Sequence, residues 1–293
     1  MTAERWAEIQ AHGGSVCLSD RAKWLLTGDD RVRYLNGQVT QDVRRAKAGM
    51  AVYACVTDAK GRVCGDIFVR ETEDGRGLLL DAEASLREAL AVRLERYVVA
   101  DDVEMTDVTE EWTLMHFFGA ACQGVGNGHE CERLGQPGVD VWARKAEGQP
   151  PAPSVSAEEM EVLRVLRGVP RYPNELNGEV FPPEAGLEAR AMDYSKGCYI
   201  GQEVLSRIRT TRKMPRELIS WILLGEGEVP AGAVLAEPGG KSVGQVTSVV
   251  RHPVTGRATG LGYVKLGAVP DDSQLLVGND FATIGRLLPG LSV

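Results

Sequence analysis

The sequence lacks closely spaced cysteines. Its 293 residues include six cysteines, and no two of them form a C-x-x-C pair. This absence disfavours a disulfide framework and a four-cysteine zinc site, because both depend on such spacing. No apolar run approaches the ~18 residues needed to cross a bilayer, and the charged N-terminus lacks the apolar core of a signal peptide. We therefore predict a cytoplasmic protein with reduced thiols and no membrane partner.

Basic residues are also too few for general nucleic-acid binding. The chain has 33 Lys and Arg against 41 Asp and Glu, a net charge of -8, whereas binding to a phosphate backbone needs a basic surplus. A local exception lies at 207–216, with the basic residues Arg207, Arg209, Arg212, Lys213 and Arg216. If this segment is extended, Arg207 and Arg209 share a face that suits an anionic ligand tail or an acidic partner. A solvated charged face is the simpler interpretation.

The N-terminal half alternates short apolar runs with turn residues. A strand and a short helix are predicted at 23–37. The turn residues at 58–61, D-A-K-G, predict a hairpin. A helix opened by the capping box S-L-R-E at 85–88 completes a strand-strand-strand-helix-strand-strand unit over 50–120. Such a unit resembles a split, ferredoxin-like α+β unit.

The residue pattern of the chain changes twice after residue 130. Gly, Pro and Gln are frequent from Gln136 to Pro153, which indicates a boundary. A second capping box at 156–159 predicts a helix. After Pro215, short strands separated by Gly or Pro turns predict a small all-β barrel or sandwich. The fold class is therefore α+β.

The sharpest candidate for chemistry is Cys198, in the stretch K-G-C-Y-I-G-Q-E at 196–203. Lys196 and a helix N-terminus after Gly201 would favour the reactive thiolate. Local spacing alone favours a small buried thiol instead. Gln202 and Glu203 would orient a ligand, cap a helix or face solvent.

Other candidates are weaker. Cys122, His129 and Cys131 form a C-x6-H-x-C pattern without a fourth ligand nearby, so we predict no metal site. Asp66 interrupts an apolar strand, and Glu184 follows two prolines. Either carboxylate faces water, as most do, or a cavity. A buried carboxylate would accept paired N–H bonds from a pterin-like ring.

The stretch KGCYIGQEV resembles the signature of the YgfZ-type folate-binding proteins. They belong to the aminomethyltransferase-like group that includes the glycine cleavage T-protein. The resemblance covers most of the chain: LLTGDDRVRYLNGQVTQDV is similar to the group's N-terminal pattern and VLRVLRGVPRYPNELNGEVFPPEAGL to its central segment. GQVTSVV and GLGYVK are similar to its C-terminal barrel.

This resemblance implies a T-protein-like, three-part architecture, with ferredoxin-like α+β units around a central channel and a small C-terminal β-barrel. The implied domains are a discontinuous folate-binding domain at 1–48 and 150–214, a ferredoxin-like domain at 49–149, and a barrel at 215–293. The implied ligand is tetrahydrofolate. The implied role is the assembly or repair of iron-sulfur proteins, including those that modify tRNA, with client proteins or assembly factors as partners and no direct nucleic-acid contact.

By motif position, the resemblance makes Cys198 the functional thiol, within a motif that also contains Lys196, Tyr199, Gln202 and Glu203. Its implied folate-binding residues are Asp66, Tyr172 and Glu184. The T-protein carries an acidic pair where this chain has Gly65 and Asp66. One carboxylate is therefore absent, which argues against aminomethyl transfer, because an acid at the reactive nitrogen of folate is part of that chemistry. A T-protein-type aminomethyltransferase is the alternative function.

Overall fold

A computed structural model describes residues 1–46, 49–148, 151–268, 274–277 and 280–286. The helices in these ranges are α1 (Ala3–His12), α2 (Arg31–Gln38), α3 (Arg87–Glu95), α4 (Ala157–Leu166), α5 (Glu188–Ala191) and α6 (Gln202–Thr211). None of them is long and apolar enough to span a membrane.

Fifteen strands lie in the same ranges. The first nine are β1 (Gly14–Cys17), β2 (Ala22–Thr27), β3 (Val52–Thr57), β4 (Val63–Glu71), β5 (Leu78–Ala82), β6 (Glu104–Asp107), β7 (Trp112–Phe118), β8 (His129–Cys131) and β9 (Gly138–Arg144). The others are β10 (Arg216–Leu223), β11 (Val234–Ala236), β12 (Ser242–Arg251), β13 (Ala258–Lys265), β14 (Gln274–Val277) and β15 (Asp280–Arg286).

The first sheet has five antiparallel strands in the order β3-β4-β5-β2-β6. The predicted hairpin at 58–61 is confirmed, since it joins β3 to β4. One face of the sheet buries Trp24, Ile67 and Leu80, which pack with Leu35 of α2 and Leu90 of α3. Both helices therefore cover this face.

The second sheet has the order β1-β7-β9-β8. This order corrects the prediction that 50–120 forms one unit, because β7 pairs with β1 and β9 instead of joining the first sheet. The first sheet instead includes β2, from outside the predicted unit, between β5 and β6. Apolar alternation predicts that a strand exists, but it carries no information on the partner.

The third unit is a closed barrel in the order β10-β13-β12-β11-β14-β15. The predicted barrel is confirmed, and β14 was missed. Glycines allow its strands to pack closely: a Cβ atom at Gly260 would lie 1.9 Å from the carbonyl oxygen of Ser248. Residues 287–293, within the predicted barrel domain, lie outside the described residues.

Strand pairing does not follow the predicted domain boundaries. β1 and β2 belong to the predicted first domain, yet each lies in a sheet whose other strands belong to the predicted second domain. The barrel strands all fall within 215–293. Pairing alone does not delimit a folding unit, so the boundaries stay a prediction.

Of the two predicted capping boxes, one is confirmed and the other is wrong. The capping box of α4 is confirmed, because Ser156 and Glu159 bond reciprocally to each other's backbone N–H. The box at 85–88 is wrong, since Ser85 lies in a 3₁₀ turn and the N-cap residue of α3, Leu86, makes no side-chain cap bond. The extended alternative for the segment containing Arg207 is also wrong, because that residue lies in α6.

One guanidinium connects the two sheets. Arg133 bonds Asp81 of β5 through both terminal nitrogens, at 2.9 and 2.5 Å, and Asp140 of β9 through Nε, at 2.6 Å. It also lies 3.8 Å from the ring centroid of Phe68. All three charged residues are buried. Burial by itself raises the pKa of Asp140, but Arg133 and His116 outweigh it and hold that pKa well below the ordinary value.

We predict that Arg133→Met lowers the free energy of unfolding by about 3–5 kcal/mol, because removing one partner leaves buried charge uncompensated. Urea unfolding measures this loss. The matched control is Arg251→Met, whose ion pair with Glu228 is exposed and whose loss should stay below about 1 kcal/mol. Equal losses in the two variants would contradict the prediction.

Candidate functional site

The loop that carries Cys198 is anchored by a buried lysine. The ammonium of Lys196 donates to the carbonyl oxygens of Asn36 at 2.6 Å and of Val39 and Gln41 at 2.8 Å. An ammonium has three N–H donors, so all of them are satisfied. The motif is thereby fixed to the C-terminal end of α2 and the residues just after it, some 155 residues earlier in the chain.

Cys198 itself is exposed. The interpretation of this thiol as a small buried residue is therefore wrong. The next residue, Tyr199, is buried. After it, the N–H of Ile200 donates to the Gly37 carbonyl at 3.1 Å, and the Thr57 hydroxyl donates to the Ile200 carbonyl at 2.6 Å. The thiol is thus presented on a loop that is held on both sides.

Gly201 allows this loop to enter α6. Its φ is +87°, and a Cβ atom there would lie 2.6 Å from the carbonyl oxygen of Asp58. Only glycine fits such a conformation and contact. The side chain of Gln202 accepts the Tyr199 N–H at 3.3 Å, which closes the turn, while Glu203 is exposed.

The role of Lys196 differs from the sequence prediction. Its ammonium is directed at three carbonyl groups rather than at the thiol of Cys198. Burial lowers the pKa of Lys196 to about 8, with Asp42 acting in the opposite direction. The side chain therefore stays protonated at neutral pH and keeps its three hydrogen bonds.

Asp66 faces the interior. It is buried on β4, and its Oδ2 accepts the hydroxyl of Tyr53 at 3.1 Å. Its Oδ1 has no partner among the described residues. Burial raises the pKa of Asp66, against the opposing charge of Arg21. One carboxylate oxygen is therefore available to a ligand.

Asp66 lines a small cavity of about 60 Å³. Two further buried nitrogens from the same lining have no partner among the described residues: Nη2 of Arg21 and Nε2 of His116. Buried polar atoms are rarely unpaired. Three residues that line one cavity therefore each carry an unpaired buried polar atom, and a ligand or ordered water is the usual partner of such atoms. Arg21 and His116 could not be predicted from the sequence, because neither lies in a recognisable motif.

A larger cavity of about 830 Å³ adjoins the small one. The two share Tyr53, Phe68 and Arg190, and the rings of Tyr53 and Phe68 stack with centroids 4.6 Å apart. Gln41, whose carbonyl accepts from Lys196, also lines the larger cavity. The two cavities together form an aromatic and polar candidate binding site.

Glu184 and Tyr172 line neither of these cavities. Glu184 is buried, and its Oε2 accepts the backbone N–H of Phe181 at 2.9 Å and lies 3.5 Å from Nε of Arg216. Its Oε1 has no partner among the described residues. Burial raises the pKa of the Glu184 carboxyl group. Tyr172 packs against two hydrophobic clusters.

The three residues of the C-x6-H-x-C pattern do not form a ligand cluster within the described part of the chain. Nδ1 of His129 lies 3.1 Å from a guanidinium nitrogen of Arg70, whereas Cys131 lies beside His116 and Asp140. These last three offer a ligand set for a metal ion. Burial and the nearby Asp140 raise the pKa of the Cys131 thiol, and Asp140 already pairs with Arg133. A protonated thiol and a neutralised carboxylate make a poor cation site.

Comparisons with known proteins agree with this architecture. Residues 2–125 match the GCVT N-terminal domain model. An aminomethyltransferase of Rubrobacter xylanophilus is 29% identical over 87% of this chain and 77% of its own. The mitochondrial iron-sulfur cluster assembly factor IBA57 homolog of Pyricularia oryzae is 28% identical over 84% and 68%, respectively. The tRNA-modifying protein YgfZ of Sodalis glossinidius is 27% identical over 74% and 73%.

A solved structure supports the same fold. The glycine cleavage system aminomethyltransferase T of Bartonella henselae superposes with a TM-score of 0.77 at 18% identity, covering 95% of this chain and 86% of that one. Residues 2–125 therefore match a GCVT N-terminal domain, the chain is similar in sequence to YgfZ and IBA57 proteins, and its fold is that of a T-protein. The resemblance seen in the sequence is confirmed, and so is the predicted fold class.

The structure also shows where a second acid would lie at Gly65, the position at which the resemblance implies an acidic pair. Successive residues of a strand face opposite sides, so Gly65 faces away from the cavity that Asp66 lines. A Cβ atom at Gly65 would lie 2.7 Å from the side chain of Leu86 and 3.1 Å from that of Leu90. In this chain a second acid would therefore meet the packed face of α3, not the cavity.

We predict that Lys196→Met loosens the motif loop, because it leaves three carbonyl groups without their donor. The amide of Ile200 should exchange hydrogen about tenfold faster or more, since each unsatisfied buried acceptor costs about 1–3 kcal/mol. Hydrogen exchange with mass spectrometry measures this. Lys241→Met, at an exposed position, is the control, and unchanged exchange in Lys196→Met would contradict the anchoring role.

Proposed function

We propose that the protein is a tetrahydrofolate-binding accessory factor for the assembly or repair of iron-sulfur proteins, including those that modify tRNA. The observation that carries this proposal is the exposed Cys198 on a loop anchored by Lys196. A surface thiol is accessible to sulfur, iron or a partner, whereas a buried thiol is inert. One relative is named an iron-sulfur cluster assembly factor and another a tRNA-modifying protein.

The folate part of the proposal depends on Asp66. Its unpaired Oδ1 suits an N–H group of a pterin ring, because a carboxylate forms strong, short bonds to such donors. The rest of the ligand would lie along the larger cavity, beside Tyr53 and Phe68. Tyr172 and Glu184 stay predicted contacts on the resemblance alone.

The second candidate is a folate-dependent aminomethyltransferase. Two observations favour it: a 29% identical relative carries that name, and Asp66 lies buried at a cavity where an acid would act on the folate. Incubation with aminomethyl-loaded lipoyl protein and tetrahydrofolate tests it. Methylenetetrahydrofolate should form if this candidate is right, and no product would reject it.

We predict that Cys198→Ala loses at least about tenfold of the ability to restore an iron-sulfur enzyme in a strain lacking the native protein, since the thiolate is the acting species. Activity of that enzyme in cell extracts measures the restoration. Cys17→Ala removes another exposed thiol and should restore fully. Full restoration by Cys198→Ala would reject the thiol's role.

We predict that Asp66→Asn weakens tetrahydrofolate binding about tenfold to a hundredfold, the loss of one charge-assisted hydrogen bond. Anaerobic calorimetry measures it, with the exposed Glu73→Gln as control.

The ionised form of Asp66 is the form expected to bind the ligand. Because burial raises the pKa of Asp66, acidification should protonate it, and so weaken wild-type binding, at a higher pH than an ordinary carboxylate would require. The affinity of Asp66→Asn should not follow that titration. Equal affinities of wild type and Asp66→Asn would contradict the folate contact.

A further inference from the structure

Only one of the two ring nitrogens of His116 has a hydrogen-bond partner within the described part of the chain. His116 is completely buried on β7 and lines the small cavity. Its Nδ1 lies 2.9 Å from Oδ1 of Asp140, the residue opposite it on β9. Its Nε2 is buried and unpaired. Buried polar atoms usually have a partner, so Nε2 is a candidate contact for a ligand.

Asp140 determines which ring nitrogen of His116 carries the proton. A carboxylate only accepts hydrogen bonds, so Nδ1 is the donor in that contact. The surrounding network already contains two guanidinium groups and two carboxylates, from Arg21, Arg133, Asp81 and Asp140. A protonated imidazole would add a buried charge without a counter-charge, which is costly. Nε2 is therefore a hydrogen-bond acceptor.

A glycine brings the Nε2 edge of the imidazole close to the neighbouring strand. Gly138 lies on β9, and a Cβ atom there would be 2.4 Å from Cε1 and 2.8 Å from Nε2 of His116. Any side chain at position 138 would therefore clash with the ring, and a strand glycine often marks such a close approach. Gly138 lines the larger cavity, whereas His116 lines the small one. The acceptor thus lies where lining residues of the two cavities meet.

Two other residues that line the small cavity have an unpaired buried atom among the described residues. Asp66 has an unpaired acceptor, Oδ1, and Arg21 has an unpaired donor, Nη2. Together with Nε2 of His116, they offer two acceptors and one donor. The matching edge of a ligand has two N–H donors and one carbonyl oxygen, which is the pattern of a ring amide beside an amino group.

The small cavity has room for the edge of a ring and not for a whole ligand. Its volume of about 60 Å³ is well below the ~150 Å³ of a cavity that holds benzene. The body of the ring would therefore extend into the larger cavity, past Tyr53 and Phe68, which line both. A pterin ring carries the required edge, because its amino group, ring N–H and carbonyl lie side by side.

We propose that His116 and Arg21 select the ligand together with Asp66: Nε2 of His116 accepts an N–H group, and Nη2 of Arg21 donates to a carbonyl. The ligand class is a 2-amino-4-oxo ring, and its identification with tetrahydrofolate rests on the proposed function. A 4-amino ring lacks both the carbonyl and the ring N–H, and it presents an amino group to Arg21, which has only donors. The site should reject such a ring, since an unpaired buried donor is costly.

The test labels the histidines with 15N and follows their ring nitrogens by NMR. The chain has four histidines, and His116→Gln identifies the signal of His116. Isocytosine, which is the 2-amino-4-oxo ring alone, should shift the Nε2 signal at millimolar concentration, and tetrahydrofolate should shift it at a lower concentration. The matched probe 2,4-diaminopyrimidine should bind at least about tenfold more weakly than isocytosine. The exposed His12 is the internal control and should not shift.

Two substitutions separate ligand contact from structural support. His116→Asn places an amide where Nδ1 lies, so it can still bond to Asp140, but it has no atom at the position of Nε2. It should keep the wild-type melting temperature and bind tetrahydrofolate about tenfold more weakly. His116→Gln has an amide at the position of Nε2, so it should recover most of the affinity while its melting temperature falls. A purely structural role of His116 would give the opposite order of affinities.

Three results would overturn the proposal: no shift of Nε2 with any probe, equal binding of isocytosine and 2,4-diaminopyrimidine, or full affinity in His116→Asn. Failure of the proposed function gives a different result. If isocytosine shifts Nε2 and tetrahydrofolate does not bind, the selection by the small cavity stands and the folate part of the proposed function is rejected. If tetrahydrofolate binds without shifting Nε2, the folate site stands and the role of His116 is rejected.

Discussion

The contact between Arg133 and the carboxylates of Asp81 and Asp140 is the constraint on which the site depends. It joins the two sheets through buried charge, and the same two carboxylates also bind Arg21 and His116, two residues that line the small cavity. Nε of Arg21 donates a hydrogen bond to Asp81, and Nδ1 of His116 lies at hydrogen-bond distance from Asp140. Each keeps one buried nitrogen without a partner among the described residues. Sheet packing and the polar lining are two results of one network.

Local features of the fold were predictable from the sequence, and long-range ones were not. The hairpin at 58–61, the capping box of α4 and the barrel texture are each encoded within a few residues. The places of β2 and β7 depend on partners far along the chain, which alternation cannot specify. Lys196 shows the same limit. Its sequence neighbour is Cys198, but its contacts are backbone carbonyls about 155 residues away.

Some residues of the candidate site could be predicted from the sequence, and others could not. Asp66 was found because an acid that interrupts an apolar strand is a visible anomaly. Arg21 and His116 gave no signal, since neither lies in a recognisable motif and most single polar residues face solvent. The spacing of Cys131 pointed to His129, whereas its contact is His116, because β7 and β8 both pair with β9. Chain spacing was misleading where neighbouring strands set the geometry.

The thiol and the candidate folate site are separate but share one segment. Cys198 lines neither cavity, so a folate bound there does not lie against the sulfur. Residues 36–41 provide the carbonyl groups that hold Lys196, and Gln41 of this segment also lines the larger cavity. A ligand that orders Gln41 thereby stabilises the anchor of the Cys198 loop. If the proposed folate site is right, this arrangement favours a folate that positions the thiol over one that exchanges a group with it.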